Sequence, residues 1–349
     1  MGDAALEARL RRLGATHDEI EAARERGRLL AFTIELLVSP DRGLTLDELA
    51  SKAGMARADV LRLWSAWGFP PPEPDDRRFG ERDAGVMPFA LAIEQVVDPR
   101  VAYHTARVMS MAIGRVAEAE VSMLRSALEA PLREGGAGDD TAAEHYEAVV
   151  PAAMRAADKA LLSLHRHHLV ETARRHADWG VQATPHNLLD IVVGFADLTG
   201  STSLAAASAL DELDHALSVF EERTADVLAD AGATLVKRIG DAVMFTTPAA
   251  PVGARVAVEL VCAFSADPVV PPVRVGLAAG QVVARRGDFY GLPVALAARL
   301  QSLARPSSVL LDAEMYARLD ATSRERTGIV GVYEIAGFPD PVDVYELQA

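Results

Sequence analysis

Near residue 180 the spacing of apolar residues changes period, and this change constrains the fold more than any other feature of the chain. Upstream, apolar residues recur at three- and four-residue steps, the period of amphipathic helices. Helices are expected at about 3–13, 17–38, 45–53 and 56–67. The run Pro70-Pro71-Pro72-Glu73-Pro74 then breaks the pattern. Two long helices are expected near 98–130 and 141–178, separated by Gly135-Gly136-Ala137-Gly138. After Pro185, short β-rich runs alternate with helices. Strands are expected at 189–195, 234–238, 242–246, 273–278, 281–285, 308–311, 328–335 and 343–347, with helices at about 203–230, 250–265 and 294–304. The chain therefore reads as an all-helical domain over 1–180, followed by an α+β domain over 188–349 with a sheet covered by helices. Its 349 residues suffice for two separate cores.

Composition excludes several classes of function. Half the residues are apolar and 24% are charged, the balance of a folded, soluble protein. A formal charge of -15 argues against a nonspecific polyanion binder, while a local basic pocket stays compatible with it. A single cysteine, Cys262, allows no internal disulfide and points to a reducing cytoplasm. It lies in the apolar stretch Val256–Phe264 and is expected to be buried. The charged start shows no signal-peptide core, and apolar runs such as Leu29–Val38 are too short to span a bilayer.

Three segments carry chemistry. In Phe195-Ala196-Asp197-Leu198-Thr199-Gly200-Ser201-Thr202 a strand ends in a carboxylate and a small-residue turn opens a helix. Backbone N–H groups and the helix dipole there suit an anion, and the aspartate can hold a hard cation against it. Alone, the aspartate could equally be a helix cap. Leu235-Val236-Lys237-Arg238-Ile239-Gly240-Asp241-Ala242-Val243-Met244-Phe245 is a hairpin signature with a tight Gly-Asp turn. Alone it is a plain hairpin; with Asp197 it supplies two carboxylates on adjacent strand ends, the usual device for two-metal phosphoryl chemistry. The third segment, Ala284 to Leu300, runs from a strand through a charged turn into an alanine-rich helix. Arg299 follows Ala295 by one helical turn, on the same side.

In this order and at these spacings, the three segments resemble the catalytic domain of class III adenylyl cyclases, of the soluble bacterial type with a helical N-terminal regulatory domain. The similarity covers about 190 to 349 and implies the ferredoxin-like α+β cyclase fold. Carried over, Asp197 and Asp241 match the family's two metal-binding aspartates, for two divalent cations, Mg²⁺ or Mn²⁺. Lys237 matches the lysine that hydrogen-bonds the adenine ring, and Asp288 the acid that reads its amino group, which favours ATP over GTP. Arg299 matches the arginine that stabilises charge on the transferred α-phosphate. The resemblance also implies a head-to-tail homodimer, with Asp197 and Asp241 of one chain facing Lys237, Asp288 and Arg299 of the other. The implied reaction is ATP to 3′,5′-cyclic AMP and pyrophosphate.

One position departs from the pattern. The family usually carries asparagine four residues before the transition-state arginine, where this chain has Ala295. Losing one preorganised donor costs roughly 10²–10³ in rate. A slow cyclase is expected, with a catalytically silent nucleotide-binding regulator as the alternative.

In the N-terminal half, Leu44 to Val60 reads as helix, glycine turn, helix, a helix-turn-helix pattern. Its second helix offers Arg57 and Arg62 but also Asp59, Trp64 and Trp67. That is too few basic groups for a recognition helix on an acidic chain, so a packing role is expected, with a helix-turn-helix DNA-binding regulator as the less favoured alternative. The helix at 141–178 carries Tyr146, Val150, Ala153, Ala157, Ala160 and Leu164 in a seam-like stripe, for a symmetry mate or for its own domain. His145, His165, His167, His168, His176 and His186 fall in or just after it, either as scattered surface groups or as a pH-responsive junction.

Overall fold

The computed structural model describes residues 2–179, 187–200 and 210–349. They divide into two compact units, Met1–Leu169 and Val170–Ala349.

The first unit is helical: α1 (Gly2–Arg12), α2 (His17–Glu25), α3 (Leu29–Val38), α4 (Leu46–Ala53), α5 (Arg57–Ala66), α6 (Glu81–Val96), α7 (Pro99–Leu124), α8 (Ala130–Glu134) and α9 (Asp139–Asp178), whose last residues belong to the second unit. Thr16 and Thr45 open α2 and α4 with capping boxes, in which a glutamate three residues on reaches back to the cap. The single helix expected over 17–38 is two helices. Gly27, at φ +64°, takes a left-handed conformation that ends α2. The helix expected over 98–130 is α7 followed by a π-helical turn, Arg125–Glu129, and α8. Helix α6 escapes the sequence pattern because Gly85 and Pro88 interrupt it. Asp83 accepts from the Gly80 N–H at its start, and Ala84 and Met87 are buried, so packing overrides the proline.

The α4–α5 pair packs Leu46, Leu49, Val60, Leu63 and Trp64 into one core with Phe79 and Met87. Arg57 pairs with Asp47, and Arg62 with Glu94 and Asp59. The apolar face and both arginines of α5 are thus engaged within the unit. Along α9 the expected stripe splits. Tyr146 and Val150 are buried, and the Tyr146 hydroxyl donates to Glu129 at 2.9 Å, whereas Leu164 and the neighbouring His165, His167 and His168 are exposed. His186 lies outside the described residues.

The second unit is built on one mixed sheet. Its elements are β1 (Leu188–Leu198), α10 (Leu210–Asp230), β2 (Thr234–Ile239), β3 (Ala242–Thr247), α11 (Ala250–Phe264), β4 (Val273–Arg285), β5 (Asp288–Tyr290), α12 (Leu292–Leu303), β6 (Val309–Asp312), α13 (Ala313–Ala317), α14 (Ala321–Glu325), β7 (Thr327–Tyr333) and β8 (Val342–Leu347). The strand order is β2-β3-β1-β4-β6-β8-β7, with β5 pairing β4 outside this path. Alternate side chains of β1 enter two cores. Val192, Ala196 and Leu198 meet α10 and α11, while Ile191, Val193 and Phe195 meet α12. The strands expected at 273–278 and 281–285 are one strand that passes through Gly280 at φ +145°.

Two glycines allow close contacts, Gly194 under the cross-strand Phe245 ring and Gly276 between sheet and helix. A Cβ on Gly194 would stand 2.1 Å from the Phe245 ring, and one on Gly276 would stand 2.2 Å from the Gln301 backbone nitrogen in α12. Helix and strand approach this closely only because no side chain intervenes. The expectation for Cys262 is corrected: it is exposed. Helix α11 buries Val256, Ala257, Leu260, Val261 and Phe264, and the helical period turns position 262 outward. Among the described residues, no helix is long and apolar enough to cross a membrane.

Candidate active site

Central strand β1 delivers Asp197 to the edge of the sheet, where it lies opposite Ala242 on β3 and Arg274 on β4. The hairpin β2–β3 turns through Gly240, at φ +63°, and Asp241. Because Ala242 is the register partner of Asp197, its neighbour Asp241 sits beside that carboxylate. Asp197 is only 9% exposed. Burial raises its pKa above the ordinary carboxylate range; hydrogen bonds from Arg274 oppose the rise, and the nearby charge of Asp241 adds to it.

The hydrogen bonding of Asp197 is one-sided. Its Oδ2 accepts from Arg274 Nε at 3.1 Å, Arg274 Nη2 at 2.7 Å and Gln301 Nε2 at 2.8 Å. Its Oδ1 accepts no hydrogen bond from the described residues, and Asp241 accepts none on either oxygen. Carboxylate oxygens that have no partner among the described residues, at a shared corner, are hard donors, the ligand type that Mg²⁺ and Mn²⁺ prefer. The residues present fit divalent cations.

A second cluster lies further along the β2 strand. The β2–β3 register slips between Leu235 and Lys237, a bulge that re-aims the lysine. Arg285 pairs with Asp288 across a two-residue turn in which Arg286 and Gly287 both have positive φ, +59° and +74°. That hairpin brings Asp288 to Lys237, and the two form an ion pair at 2.5 Å. Arg299 stands exposed on the outer face of α12, one turn beyond Ala295. It has no partner among the described residues.

The five residues singled out from sequence therefore fall into three places within one chain. Asp197 meets Asp241, Lys237 meets Asp288, and Arg299 points outward. No hydrogen bond or ion pair joins one group to another among the described residues. Ser201 and Thr202, read as the start of an anion-binding turn, lie outside them. Sequence reading missed Arg274 and Gln301. Arg274 looks like an ordinary solvent-facing position in an alternating strand. Gln301 carried a usable signal: it is a polar residue one turn after Ala297 on the apolar stripe of α12, and it is 7% exposed.

A helix-covered mixed sheet, with one acid ending its central strand and another in the adjacent hairpin turn, defines a nucleotidyl cyclase catalytic domain. Residues 182–349 match the adenylate and guanylate cyclase catalytic domain family. An uncharacterised protein of Mycobacterium tuberculosis is 33% identical over 344 residues, covering 96% of this chain and 88% of that protein. An adenylate cyclase of Streptomyces coelicolor is 30% identical over 297 residues, covering 81% and 74%. Among solved structures, the guanylate cyclase domain of RhGC from Catenaria anguillulae, in complex with GTP, is similar at 20% identity and a TM-score of 0.43, over 46% of this chain and 96% of that one. The chain belongs to the class III adenylyl cyclases.

Proposed function

We propose that the protein converts ATP to 3′,5′-cyclic AMP and pyrophosphate, at a site completed by a second copy of the chain. The observation that carries this reading is the corner formed by Asp197 and Asp241, where one oxygen of Asp197 is committed and the others have no partner among the described residues. Those two carboxylates would hold two divalent cations, Mg²⁺ or Mn²⁺. Cations held there would supply charge neutralisation and would lower the pKa of the ribose 3′-hydroxyl for attack on the α-phosphorus. Lys237 would hydrogen-bond the adenine ring and Asp288 would accept from its amino group. Arg274, opposite Asp197 and partly exposed, would meet the triphosphate.

The orientation of Arg299 supports a dimer. A transition-state cation must reach the α-phosphate, yet in one chain this arginine faces away with no partner among the described residues. A head-to-tail homodimer brings it to the neighbouring chain's carboxylates. Ala295 beside it offers no donor, so turnover is slow. The same alanine favours the second reading, a nucleotide-binding regulator without turnover. The helical unit regulates the catalytic one in either case, in the reducing cytoplasm that a lone thiol suits.

A cyclic AMP assay on the purified protein with Mn²⁺ and ATP tests the proposal, with Asp241→Ala as the blank. Product from wild type and none from the variant supports it. Binding of ATP and Mn²⁺ without product from wild type selects the regulator.

A further inference from the structure

Gln301 is a buried polar residue that the reading above leaves without a task. Its Nε2 donates to Asp197 Oδ2 at 2.8 Å, across 104 positions of sequence. Arg274 supports the same oxygen through Nε and Nη2, and its Nη1 donates to the Ser302 carbonyl of α12 at 3.1 Å. The end of α12 thus grips the Asp197–Arg274 pair twice, once by a side chain and once by the backbone. The grip cannot slide, because α12 lies against Gly276 of β4 with no room for a Cβ between them. Two residues before Gln301 the same helix carries Arg299 on its opposite, outer face.

We infer that Gln301 is a positioning residue that commits one oxygen of Asp197 so that the other faces the cation, and that fixes the helix of Arg299 to that carboxylate. This rests on the proposed metal role of Asp197. The chemistry favours glutamine here. A neutral amide donor satisfies one oxygen of a buried carboxylate without the second full positive charge that would compete with a cation for it. A carboxylate free to rotate would present either oxygen and lose part of its affinity. In a head-to-tail dimer Arg299 serves the site opposite to the one its own Asp197 serves, so Gln301 ties the two sites together through a single helix.

The test is Mn²⁺ titration of the full chain by electron paramagnetic resonance, with a non-cyclisable ATP analogue present, for wild type, Gln301→Met and Asp241→Ala. Methionine keeps the length and removes the donor. Loss of one hydrogen bond to a charged acceptor weakens binding about tenfold or more. The Met variant should therefore bind the same number of ions about tenfold more weakly, with the analogue's own affinity at saturating Mn²⁺ unchanged. Gln301→Glu has the same shape but opposes a carboxylate with a carboxylate. It should lose more affinity than Met, and it covers the case in which Met does not fold. A folded Met or Glu variant with wild-type Mn²⁺ affinity overturns the inference alone. A wild type that takes up no Mn²⁺ overturns the inference together with the reading it rests on.

Discussion

Lys237 and Asp288 form an ion pair inside one chain although 51 positions separate them, and both side chains remain partly open to solvent. A bulge on β2 and a tight turn before β5 are what bring them together. They hold a lysine donor and a carboxylate acceptor at hydrogen-bonding distance of each other.

If this pair reads the base, Lys237→Met and Asp288→Asn should each lower kcat/KM for ATP by about 10–100-fold, the discrimination expected where a built polar site loses its partner. Because the residues touch, the double variant should fall short of the summed losses. Steady-state kinetics on the two single variants and the double variant measure this, and strict additivity would contradict it.

Ala295→Asn restores a donor one turn before Arg299. It should raise kcat by roughly 10²–10³ if turnover is limited by the missing donor. A cyclic AMP assay at saturating ATP and Mn²⁺ reads the change. An unaltered, nonzero rate would show that the alanine is neutral.

Gly276→Ala should unfold or severely destabilise the catalytic unit. Its Cβ would sit 2.2 Å from the Gln301 nitrogen and 2.3 Å from the Ala297 carbonyl oxygen, both backbone atoms that cannot rotate away. Overpacking of this kind costs about 1–3 kcal/mol, and more where backbone must move. Thermal unfolding of the variant reports the loss, and a wild-type Tm would refute the close approach.

Asp312 gives the fold a pH dependence of definite sign. It ends β6, caps α13 by accepting from the Met315 N–H at 2.9 Å, and is 6% exposed. Burial pushes its carboxyl from 3.8 up to about 6, against the backbone hydrogen bonds from Met315 and Ala279 that favour the charged form. The folded state therefore holds this proton more tightly than the unfolded chain does. The resulting stability is fully present below about pH 4 and is lost as pH rises through about 6. The loss amounts to roughly 3 kcal/mol for this interval. An asparagine side chain caps a helix as well as an aspartate does. The variant Asp312→Asn should therefore be more stable than wild type above about pH 6 and should flatten that part of the curve. Denaturant unfolding on either side of that pH checks it, and identical curves would count against the buried carboxyl.

Local order was largely legible in the sequence because it depends on neighbours a few residues away. The period change near residue 180, the Gly240-Asp241 turn and the one-turn spacing of Ala295 and Arg299 are all short-range patterns, and each element forms close to where its pattern lies. Tertiary structure decided what local patterns cannot encode. Packing kept α6 helical through Pro88, and the phase of α11 turned Cys262 out to solvent. Strand order set Arg274 against Asp197, and the closeness of α12 to Gly276 placed Gln301 on the same carboxylate oxygen. Sequence by itself determined which residue types were available for the chemistry. Their hydrogen-bond partners come from strands and helices dozens of positions away, so only the assembled sheet could select which oxygen of Asp197 is held.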